Sequence, residues 1–144
     1  MVTGGETHSL ERQIREWVQS LPDGSLTLES SSSTRNEFQL TLVPTRHGAS
    51  SIEITFCNDG TFQLAAGGYW WEDRLAGFDQ FLDLAEGVRR GRLRESVVMF
   101  GKIELTAKAE LESAAGEIWS YRSGFLWILP WLWKWKTTKF ESWD

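Results

Sequence analysis

The chain has one cysteine, Cys57, in 144 residues. No internal disulfide can form. A nucleophilic thiol would need a neighbouring cation or a helix N-terminus to lower its pKa, and the sequence around Cys57 offers neither. Histidine is almost as scarce. His8 and His47 stand far apart, and neither has a Cys or His partner at metal-ligand spacing. There is no phosphate-cradling glycine loop, no dinucleotide fingerprint and no nucleophile elbow. The sequence therefore predicts no catalytic residue, no metal site and no cofactor. Basic excess is missing too: 15 Lys and Arg against 20 Asp and Glu give a net charge of −5. Such a chain repels a phosphate backbone, which argues against general nucleic-acid binding. The longest apolar run, residues 124–133, is about half of what a spanning helix needs. The polar opening residues carry no export signal. With a lone thiol, this predicts a cytoplasmic protein.

What is present suits one domain over residues 1–144, with residues 1–8 as a flexible tail. A chain of this length buries about 68–70% of its unfolded surface and needs no covalent staple. Ser9 is a candidate N-cap. Leu10, Ile14, Trp17, Val18 and Leu21 then repeat at helical spacing up to Pro22. The period changes to two at Leu26 and Leu28, again at Phe38, Leu40 and Leu42, and again at Ile52, Ile54 and Phe56. Asn58, Asp59 and Gly60 make a hairpin turn, because all three tolerate positive φ. Phe62 and Leu64 follow.

Residues 69–74 then read as a loop rich in aromatics and charge. A second helix is predicted from Phe78 to Arg90, burying Phe78, Phe81, Leu82, Ala85 and Val88. Ile103, Leu105, Ala107, Ala109 and Leu111 alternate with charged and polar residues as an amphipathic strand. Strands are also expected around Val97, around Ile118 and from Phe125 onward. The reading is an α+β fold: an antiparallel β-sheet meander of seven to eight strands, open or curled into a half-barrel. An N-terminal helix and one mid-chain helix cover it.

Tryptophan is the anomaly. There are nine, and six lie at or after position 119. Trp131, Trp133 and Trp135 share one face of an extended strand, since side chains alternate. A face like this packs as core, or stays exposed as an aromatic platform. Tyr69, Trp70, Trp71, Glu72 and Asp73 form the other aromatic group, here joined to carboxylates. Acids steer a basic partner and aromatics anchor it. These eight residues are the candidate partner-binding set, with the mid-chain group preferred.

Size, acidity, the helix-led meander and the lack of catalytic residues resemble the immunity proteins of bacterial polymorphic and contact-dependent toxin systems. Asn58-Asp59-Gly60, the loop over residues 67–74 and the aromatic C-terminus share in that resemblance. It implies a cytoplasmic, non-enzymatic inhibitor that binds and neutralises a cognate toxin. Two other readings stand beside it: a carbohydrate or lipid binder with a Trp-lined pocket, and a peripheral membrane protein inserting residues 125–135. An exposed edge at the last strand would also let two copies pair as a homodimer.

Overall fold

The computed structural model describes residues 4–32, 38–124 and 134–144. Helix α1 (Gly4–Ser20) leads into strands β1 (Leu26–Ser32), β2 (Phe38–Pro44), β3 (Ile52–Phe56), β4 (Phe62–Ala66) and β5 (Trp70–Leu75). Helix α2 (Phe78–Arg89) follows, then β6 (Leu93–Phe100), β7 (Ile103–Glu112), β8 (Ile118–Gly124) and β9 (Lys134–Lys139). The expected antiparallel α+β fold with these two helices is present. Among the described residues its nine strands divide into two sheets, ordered β1-β2-β3-β4-β5 and β8-β7-β6-β9. The last strand does not extend a simple meander; it returns to pair with β6.

Helix α1 starts at Gly4, so Ser9 lies exposed inside it instead of capping it. A solvent-facing serine costs little there. Its apolar stripe is as the spacing predicts: Leu10 and Ile14 are buried, and Trp17, Val18 and Leu21 pack against the core. In α2 the buried face is Phe81, Leu84, Ala85, Gly87 and Val88. Phe78 and Leu82, expected on that face, are only half-buried. Gly87 explains the rotation: a Cβ there would collide with the backbone carbonyl of Glu112. The helix therefore lies directly on the end of β7.

The first sheet aligns its apolar residues in rows. Leu28, Leu42, Ile52, Ala66 and Trp70 are successive cross-strand partners, as are Phe38, Phe56, Phe62 and Leu75. Phe81 of α2 meets Phe62 at a ring distance of 6.4 Å and Trp17 of α1 at 5.5 Å. Leu93, Ala109 and Leu111 bring the second sheet into the same core. The predicted hairpin joins β3 to β4. Asp59 accepts the Thr61 N–H at 2.9 Å, and Gly60 takes φ 87°.

The C-terminal residues close the core. Trp143 is 3% exposed. Its indole N–H donates to the Ser50 carbonyl at 2.9 Å, and its backbone N–H donates to Arg89 O at 2.8 Å. Gly91 (φ 74°) admits this segment, because a Cβ there would stand 2.8 Å from the Ser142 nitrogen.

Candidate functional site

The segment read as a loop over residues 69–74 is mostly a strand, β5. Sequence alternation hid it because the strand carries a β-bulge. Leu64 pairs with Glu72 while Phe62 pairs with Leu75, so β5 has one extra residue, and Arg74 takes φ 56° there. Trp70 and Leu75, five apart, thereby both face the core.

The turn before β5 is held from the second sheet. Glu95 of β6 is 6% exposed, and its Oε1 accepts N–H bonds from Gly68 at 2.6 Å and Tyr69 at 2.8 Å. The Gly67 N–H donates to Ser50 Oγ at 2.7 Å. Gly67 has φ 64°, and a Cβ on it would collide with Glu95 Oε1. Only glycine suits this position.

Clamped in this way, the segment sends its side chains to separate places. The Tyr69 hydroxyl donates to Glu104 Oε2 at 2.7 Å. That bond raises the phenol above its usual pKa, with slight burial and the charges of Glu104 and Glu95 adding to it. Trp70 is 1% exposed and gives its indole N–H to the Trp119 carbonyl at 3.1 Å. It is core, so the expectation that Trp70 contacts a partner is corrected by its register opposite Ala66. Trp71 faces the other way, 43% exposed, with its ring 5.9 Å from Tyr121 of β8 and tilted by 53°. Trp119 lies beside this junction. Its own indole N–H is buried and has no acceptor among the described residues.

Glu72 ends an apolar row, next to Leu64, Ile54 and Leu40. Burial there pushes its carboxyl pKa upward, and the adjacent Asp73 charge pushes it further. Trp71 instead ends the outer row of Glu29, Thr41, Glu53 and Ala65. Glu29 and Glu53 are exposed. No Lys or Arg from β1 to β4 shares that face among the described residues. The result is an exposed Trp71 resting on a half-buried Tyr121 where β5 approaches β8, with Glu53 and Glu29 further along its row.

The strand order separates the C-terminal tryptophan Trp135 from this patch. It belongs to β9, where it pairs with Val98 at the far edge of the second sheet, whereas β5 approaches β7 and β8. Trp131 and Trp133 lie outside the described residues. Sequence reasoning missed Tyr121, Glu104 and Glu95. Glu95 left a signal, a carboxylate at the apolar parity of Leu93 and Val97. Tyr121 left none, because only the seam between sheets brings it to Trp71. Comparison with known proteins finds no matching family model, no matching curated protein and no matching solved structure.

Proposed function

We propose that the protein is a non-enzymatic binding module of the inhibitor or immunity type, which docks a basic protein through the outer face of the first sheet. The observation that carries the reading is Trp71, 43% exposed and braced by Tyr121, at the end of a row that holds Glu29 and Glu53. Among the described residues β1 to β4 carry no Lys or Arg, and Arg74 of β5 is an exposed cation nearby in the strand. Tryptophan and tyrosine anchor interfaces because they bury much area with few rotatable bonds. Surrounding carboxylates speed encounter with a cationic partner and set its orientation. Buried Glu95 fixes the backbone that presents Trp71, so little ordering remains to be done on binding. In this reading the protein works in a bacterial cytoplasm and blocks a cognate toxin by covering it.

The test is capture of partners from the source cell by the immobilised protein, with Trp71→Ala alongside. Trp70→Ala is unsuited to this purpose, since it empties the core. Loss of a basic partner in Trp71→Ala, with the fold intact by circular dichroism, supports the reading. Unchanged recovery contradicts it.

A further inference from the structure

A concavity of about 460 Å³ opens between the C-terminal end of α2, β6, β7 and the residues after β9. Its size falls in the small-ligand range of roughly 300–1,000 Å³. Its walls include Arg90, Arg92, Arg94 and Lys139, with Glu110 and Glu112.

The register places Arg94 directly opposite Lys139 on one side and Glu110 on the other. Directly paired residues share a face. Among the described residues Glu110 forms no ion pair with Arg94; its Oε1 holds the Lys108 ammonium at 2.7 Å. Glu112 lies 3.7 Å from Arg92, which also donates to the Ser113 carbonyl at 3.3 Å. Arg90 turns away to Glu86 at 3.5 Å. A third lining carboxylate, Glu141, rests its stem against Gly48, where an added Cβ would stand 3.2 Å from Glu141 Cγ. Among the described residues the Arg94 and Lys139 side chains have no hydrogen-bonded or ionic partner.

Two cations opposed across neighbouring strands repel. An oxyanion between them removes that repulsion and gains charge-assisted hydrogen bonds from both. Arginine adds a planar fork matched to carboxylate or phosphate oxygens. We propose that Arg94 and Lys139 form a binding site for a small molecule carrying a phosphate or carboxylate group, with Arg92 as a further cation on the wall. The site is independent of the Trp71 patch.

The test is a titration of the isotope-labelled full chain with inorganic phosphate, and separately with acetate, at constant ionic strength. Saturable chemical-shift changes at the Arg94 side-chain N–H and the Lys139 amide are expected with at least one anion. The anion that saturates identifies the group recognised. Arg94→Gln and Lys139→Gln should each weaken that binding about tenfold or more. Both positions are exposed, so the backbone spectrum should otherwise persist. Lys102→Gln, in the exposed turn before β7, should bind like the parent. Changes that never saturate with either anion would overturn the proposal. So would equal affinity in Arg94→Gln, or an equal loss in Lys102→Gln.

Discussion

The Tyr69 backbone N–H donates to Glu95 Oε1 at 2.8 Å, joining the turn that opens β5 to a buried carboxylate of the other sheet. The bond links the two sheets at the point where Trp71 emerges. Replacing Glu95 with Ala leaves the Gly68 and Tyr69 donors without their acceptor. A loss of about 2–4 kcal/mol is expected from two charge-assisted bonds of this kind. Gly67→Ala should cost at least about 1–3 kcal/mol through its positive φ and the clash with Glu95. Urea unfolding measures both.

Trp70 and Trp71 are neighbours in sequence with opposite fates. Trp70→Ala should lose about 3–5 kcal/mol by opening a large core cavity. Trp71→Ala should change stability by no more than about 1 kcal/mol. Equal losses in denaturant titrations would contradict the register of β5.

Two carboxylates should show opposite pH dependence. Burial alone would raise the Glu86 pKa, but hydrogen bonds and charge from Arg89, the Trp17 indole N–H and the Arg90 charge outweigh it and hold the pKa below the usual value. A depressed folded pKa gives stability that is present above the unfolded value near 4.5 and lost as pH falls through the folded value. Glu86→Gln should therefore be destabilising at neutral pH and neutral in strong acid. The Glu72 pKa is raised, so its charge opposes folding once pH exceeds the unfolded value, and fully so above the folded one. Glu72→Gln should be stabilising at neutral pH, with the difference vanishing below about pH 4. Stability measured across pH for both variants checks the two signs.

The Trp119 indole N–H is buried and has no acceptor among the described residues. Trp119→Phe removes that donor and keeps most of the ring. Stability should stay within about 1 kcal/mol of the parent, or rise. A loss near that of Trp70→Ala would show that the indole nitrogen matters to the fold.

The β3–β4 hairpin and the face of α1 are plain in the sequence, because strict periods of 2 and 3.6 run unbroken there. The strand β5 is not, because its bulge sets Trp70 and Leu75 five residues apart on one face. A second irregularity does the same in the β6–β7 pair. The register shifts between Val98 and Met99, and Ile103, in phase with Leu105 and Ala107 by sequence, is 63% exposed. Trp143 belongs to no periodic run, so its place in the core follows only from the closing of the C-terminal segment over Ser50 and Arg89. The aromatic and acidic character of residues 69–73 is legible in the sequence. Which indole faces outward is not, since that depends on register, and the bracing by Tyr121 depends on the meeting of two sheets.

The most direct test of the outward face as the docking surface is hydroxyl-radical footprinting of the full chain, free and bound to the basic partner it captures. Trp71 and Tyr121 should be oxidised in the free protein and protected in the complex, while buried Trp70 and Trp143 stay unreactive in both. Oxidation of Trp71 and Tyr121 to the same extent in the complex, with protection falling elsewhere on the chain, would contradict the account.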